Sequence, residues 1–184
     1  MRVDAARNRS QILAAARSRI AEQGPDVSMD AIAEAAGVAV GTLYRHYPTK
    51  ADLVSAVIED SLGRFADAAD RAAVAVRGGA DALAELAALF VAYADQHAQD
   101  RALKAASSVL GVPTPDDVTR YPAGSAAHRA GAAVSLLLDA ARRAGTVRAD
   151  LTLDDLTMLL AAMPDAEPHR ARYVELMLAA VSGP

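Results

Sequence analysis

Residues 31–50 read AIAEAAGVAVGTLYRHYPTK, and the fold turns on them. Two short helix-competent segments flank the break Gly37-Val38-Ala39, where Gly37 suits the left-handed conformation that ends a helix. The second segment carries Thr42, Tyr44, Arg45 and His46 and runs into Pro48-Thr49-Lys50. Two helices joined by a three- or four-residue turn containing glycine form a helix-turn-helix, whose second helix enters a DNA major groove.

The flanking sequence supplies the frame. Ile12, Leu13, Ala16 and Ile20 recur at helical spacing, which predicts a first helix from near Arg7 to Gln23, stopped by Gly24-Pro25. Ser28 is placed to cap the second helix, with Asp30 near its positive dipole end. Thr49 and Asp52 form a variant capping box at the start of a long fourth helix. Leu53, Val54, Val57, Ile58, Leu62 and Phe65 form its apolar stripe, and Gly78-Gly79 ends it. Beyond, the pattern predicts helices over Leu83–Ala94, Arg101–Leu110, Ser125–Ala144, a Leu153–Met163 segment and a last one carrying Tyr173 to Ala180. Pro113, Pro115 and Pro122 mark the clearest loop.

Composition agrees with an all-α class. Alanine fills 46 of 184 positions, favouring close-packed helices, and alternating strand patterns are absent. Without cysteine there are no disulfides, thiolate nucleophiles or Cys-type zinc sites. No secretory signal pattern or run of about 18 apolar residues is present, so a cytoplasmic protein with no membrane partner is expected. The net charge of −4 argues against general affinity for nucleic acid, but it is unevenly spread. Residues 1–50 hold seven Arg and Lys against five acids; the remaining 134 hold twelve against eighteen. A mildly basic head on an acidic body fits local phosphate binding.

The side chains on the third helix fit a groove. Lys50 and the Tyr44 hydroxyl suit phosphate oxygens. Thr42 offers a hydroxyl and a methyl to base edges, and Val40 suits a thymine methyl. Arg45 and His46 suit either phosphates or bases, and Gly41 permits close approach. Leu43 is expected to point inward, and Tyr47 to plug the core beneath the helix.

Segment 28–50, SMDAIAEAAGVAVGTLYRHYPTK, closely resembles the recognition region of the TetR family of bacterial transcriptional regulators. Ile32-Ala33, Ala36-Gly37-Val38, Gly41-Thr42-Leu43-Tyr44 and Tyr47 before Pro48-Thr49-Lys50 carry it, and with the first helix it covers roughly residues 5–60. The resemblance implies a three-helix DNA-binding head over 1–48 and a six-helix ligand-binding, dimerising body over 49–184. It implies DNA contacts from Val40, Thr42, Tyr44, Arg45, His46 and Lys50, with Ser28 contributing. Position 39, often Ser in the family, is Ala39 here, so the third helix loses a side-chain cap worth about 1 kcal/mol.

The body's motifs are weaker. Residues 144–150, AGTVRAD, before Asp154-Asp155 resemble the region preceding the family's dimerising helices. That implies an interface between two copies through Leu153, Leu156, Leu160, Met163, Tyr173, Leu176, Met177 and Ala180; the alternative is that these faces pack within one subunit. A pocket for an unknown small effector is likewise implied, with Phe65, Leu86, Phe90, Tyr93, His97, Leu110, Leu137 and Met158 as lining candidates that would serve equally as core. The scant aromatic content favours a small or aliphatic effector. No cofactor is expected. His97, His128 and His169 lack the spacing of a metal site, with a half-exposed helix position the plainer reading of His97. Arg2, Arg7 and Arg9 either track phosphates or form a solvated helix start.

These features together predict a homodimeric repressor on a near-palindromic operator, its recognition helices about 34–36 Å apart or a small multiple. An effector would release it by tilting the fourth helix. Two other classes compete. An all-helical protein–protein adaptor would show no salt-sensitive DNA affinity. A helical enzyme would need converging acid and base groups, and neither Asp116-Asp117, Asp154-Asp155 nor Ser107-Ser108 supplies them.

Overall fold

The computed structural model describes residues 2–112, 124–164 and 166–183, with the side chains of 2–6 and 96–101 outside that description. Eight α-helices follow in order among these residues: α1 (Arg2–Gln23), α2 (Met29–Ala36), α3 (Val40–His46), α4 (Lys50–Arg77), α5 (Ala82–Leu110), α6 (Ala126–Arg143), α7 (Leu153–Ala161) and α8 (Glu167–Val181). One 3-10 turn, Gly24–Asp26, separates α1 from α2. The only extended pairing among the described residues is an isolated antiparallel bridge between Val147 and Ser182.

The chain divides into two compact units. The first is formed by the described residues of Met1–Ser61 and Ala98–Asp116, the second by those of Leu62–His97 and Asp117–Pro184. The head therefore extends past the boundary expected at 48/49. The reason is packing: Leu53, Val54 and Val57 of α4 are fully buried among Ile12, Ile20, Ile32 and Leu43, so the first turns of α4 complete the head's core. Leu103 and Ala106, near the end of α5, join it.

The two helices expected over Leu83–Ala94 and Arg101–Leu110 are one, α5. Residues 82–110 contain neither glycine nor proline, so nothing interrupts the backbone ladder. Five α-helices of the body, counting α4, lie among the described residues. Its core brings Ala69 and Ala73 of α4, Leu86 and Phe90 of α5, Leu137 and Leu138 of α6, and Met177 and Val181 of α8 into one cluster. Alanine lets these helices approach closely. Pro168 stands in the first turn of α8, where its missing N–H costs nothing. The proline-rich loop lies within 113–123, outside the described residues.

Several helix ends follow their capping residues. Ser28 Oγ accepts the Ala31 N–H at 3.1 Å. Gly37 closes α2 with φ 66° and ψ 29°. Thr49 and Asp52 exchange bonds at the start of α4, Thr49 N–H to the carboxylate at 3.0 Å and Asp52 N–H to the hydroxyl at 3.1 Å. Thr152 and Asp155 form a capping box on α7.

Candidate nucleic-acid interface

The sequence decides which face of α3 points outward. Leu43 is 0% exposed and Tyr47 is also buried, locking the helix onto the head's core from below. With those positions fixed, the 100° step of an α-helix turns the rest outward. Val40 is 40% and Tyr44 45% exposed, unusually open for large apolar side chains. Gly41, Arg45 and His46 are exposed, and Thr42 is partly so. Arg45 donates from Nη2 to Thr42 Oγ1 at 3.4 Å, a contact that brings the guanidinium and the hydroxyl to the same patch. Arg45 and His46 also lie in the last turn, where positive charge complements the helix dipole.

The start of α3 is bare. Ala39 has N-cap geometry, φ −64° and ψ 140°, but no side-chain oxygen. Its carbonyl nevertheless accepts from Thr42 and Leu43 at 2.8 and 3.2 Å. Lys50 does not project freely: its ammonium donates to the Pro25 carbonyl, tying the first turn of α4 to the 3-10 turn before α2. An ammonium has three donors, so capacity for another acceptor remains.

Two cations of α1, Arg17 and Arg9, lie against the segments that follow α3. Arg17 is buried, and its Nη2 reaches the Val57 carbonyl at 3.4 Å, Asp60 at 3.1 Å and the Ser61 hydroxyl at 3.1 Å. The signal was present, since position 17 continues the 12–13–16–20 stripe facing α4. Arg9 lies against the Tyr47 phenol without the alignment of a full hydrogen bond, and that oxygen holds its guanidinium above the ordinary arginine range. Both contacts join α1 to segments following the recognition helix.

The body's nominated residues divide. Phe65 and Tyr93 meet edge to face with centroids 6.1 Å apart. Leu86, Phe90 and Leu137 are buried core. Leu110 packs in the head's cluster instead, and Met158 is 62% exposed on α7, so the set does not converge on one pocket. The His97 side chain lies outside the described residues. Among the interface candidates, Leu156, Met163 and Met177 are buried within the subunit, and Leu153, Leu160 and Tyr173 are half-buried. Tyr173 donates to the Leu159 carbonyl at 2.7 Å, fastening α8 to α7. Leu176, 52% exposed, and Ala180 remain outward. Helical period explains the split: one stripe of each helix faces its own core. Ser107 is buried with its hydroxyl spent on the Lys104 carbonyl at 2.8 Å.

A helix-turn-helix with an outward polar face on its second helix, in a chain that is otherwise wholly helical among its described residues, defines a class of regulator. Residues 12–57 match the model of the tetR family of bacterial regulatory proteins, and residues 82–181 match the C-terminal domain of SbtR-like transcriptional regulators. The chain belongs to the TetR family. It is similar to a TetR transcription regulatory protein from Mycobacterium vanbaalenii, at 36% identity, 98% coverage of both chains and a TM-score of 0.76. It is also similar to a gamma-butyrolactone receptor described as ArpA-like, at 26% identity, 96% coverage of this chain, 89% of that one and a TM-score of 0.63. An HTH-type transcriptional regulator of Staphylococcus aureus is 42% identical over 66 residues, which span about a third of either chain (35% and 36%).

Proposed function

We propose that the protein is a sequence-specific DNA-binding transcriptional regulator, a homodimeric repressor that a small molecule releases from its operator in the cytoplasm. The observation that carries this reading is the division of α3, with Leu43 and Tyr47 buried and Val40, Gly41, Thr42, Tyr44, Arg45 and His46 turned outward. Gly41 adds support: a Cβ there would meet nothing within 4 Å, so nothing inside the protein requires glycine, whereas close approach to a duplex favours it. Ser28 and Lys50 serve at the edge of the same face, Lys50 through the donors left over from Pro25.

The dimer is supported by apolar and small side chains left outward on the last two helices, Met158 and Ala161 on α7 and Leu176 and Ala180 on α8. Exposed apolar area of this kind marks an association face. The effector reading draws on the gamma-butyrolactone receptor among the similar structures. To move the protein from 1:99 to 99:1 between states, an effector must prefer one state by about 5.5 kcal/mol.

Selection of bound duplexes from a random pool, followed by anisotropy titration over a range of salt, tests the reading. A Tyr44→Phe/Lys50→Ala double variant should bind the selected site more weakly, with the salt slope reduced by about one for the lost ammonium. Unchanged affinity and slope would remove these contacts from the proposal; no selected duplex at all would remove DNA binding. Leu176→Glu should shift the sedimenting species toward monomer.

A further inference from the structure

Within the body unit, α4 and α6 run side by side over a cleft of about 420 Å³, inside the size range of small-molecule sites. None of the pocket residues nominated from sequence lines it. Its floor is apolar and shallow-sided: Ala73 and Val74 from α4, Ala132, Ala133 and Leu136 from α6. Val74 is 63% exposed, an apolar side chain left uncovered among the described residues.

The polar groups sit at the two ends of this trough. Arg77 stands at one end, in the last turn of α4, and makes no hydrogen bond or ion pair among the described residues. At the other end are Asp70, His128 and Arg129. Arg129 is already oriented there, with Nη2 on Asp67 at 2.6 Å and on Asp70 at 2.7 Å and Nε on Asp70 at 3.2 Å. Those bonds use Nε and Nη2 and leave Nη1 without a bond among the described residues. Asp70 is engaged by Arg129, so among the described residues Arg77 is the charged group of the lining without an ion-pair partner. Asp70 and Arg77 are seven residues apart, which places the two ends about 10 Å from one another at 1.5 Å per residue.

We infer that the α4–α6 cleft is a binding site for an extended carboxylate: a medium-length aliphatic chain with its carboxylate on Arg77 and a hydroxyl or carbonyl at the far end on Arg129 and His128. This deepens the effector reading above and rests on it only for its regulatory consequence. An apolar middle and two polar ends select length as well as charge, because a short acid cannot reach both ends. The carboxylate gains a charge-assisted bidentate partner in Arg77, and the chain covers Val74 and Leu136.

Calorimetry on the full-length protein with ω-hydroxydecanoate, decanoate and the corresponding α,ω-diol tests the site. The hydroxy acid should bind saturably, at least tenfold more tightly than the diol and several-fold more tightly than decanoate. Arg77→Ala should weaken it at least tenfold, and Ala132→Leu, which fills the floor from an exposed position, should abolish it with the fold intact by circular dichroism. Equal binding of acid and diol, unchanged binding by Arg77→Ala, or no saturable binding would overturn the inference. Operator titrations are run separately. Absence of operator binding in the ligand-free protein defeats the regulator reading alone, while the calorimetry still decides the cleft.

Discussion

In the head, most of the core is local in sequence, with the end of α5 as the distant addition. Ile12, Ile20, Ile32, Leu43 and Val57 meet within 46 positions, and the turn between α2 and α3 is set by Gly37 and its neighbours. In the body, Ala69 shares one cluster with Leu137 and Met177, about 70 and more than a hundred positions further along the chain. The head buries Leu43 and Tyr47 and turns Thr42, Tyr44, Arg45 and His46 outward around one short helix. The body distributes alanine and leucine over several helices, so that many faces look alike until they pack. A function written in a contiguous segment is readable as a motif, whereas one assembled across distant helices is not.

The largest test of this contrast is a pair of core truncations. Leu43→Ala and Leu137→Ala each remove a fully buried side chain and should cost about 2–5 kcal/mol. Hydrogen exchange locates the loss: Leu43→Ala should open α2 and α3, and Leu137→Ala should open α6 and its neighbours. Loss of protection spread equally over both units in either variant would mean that the two cores are not separate.

Next in size is Arg17→Met, which keeps apolar bulk but removes the bonds to Val57, Asp60 and Ser61. Bonds to charged groups contribute about 1.5–3 kcal/mol, and denaturant titration followed by head amides should show a loss of that order. A neutral result would make this brace dispensable. Ala39→Ser works in the other direction. The backbone at 39 already has N-cap geometry, so restoring a hydroxyl should stabilise α3 by about 1 kcal/mol, read as slower exchange at Thr42 and Leu43.

The smallest effect belongs to the body. Asp155 is held below the usual carboxylate range, first by the Thr152 hydroxyl and then by the Thr152 N–H. A carboxyl depressed in the folded state stabilises above its unfolded value near 3.9, and the benefit disappears as pH falls through the folded value. Thr152→Ala should therefore lower stability at neutral pH by more than it does in acid, and raise the Asp155 titration midpoint in NMR. A stability gap independent of pH would detach the cap from this carboxylate.

The sequence reading located α2, the turn and α3 because each rests on a short-range rule: Ser28 as cap, Gly37 as left-handed stop, Leu43 as inward anchor. It divided α5 at residues that contain no breaker, since the apolar pattern weakens there while helix propensity does not. The resemblance implied a pocket without fixing its lining, and periodicity assigns Leu110 and Met158 to stripes without saying which neighbour each stripe meets. Arg17 was visible as a cation on an apolar stripe, yet its partners lie forty or more positions away in α4.

By itself, the sequence determined the helical class, the caps, the recognition turn and the outward residues of α3, since these follow from local propensity and the helical period. Only the tertiary structure decided that the head's core takes in the first turns of α4 and the end of α5, which residues of α7 and α8 stay outside, and that a trough with polar ends lies between α4 and α6. Those features depend on which apolar face meets which, and in an alanine-rich chain many pairings satisfy the same pattern until close packing selects one.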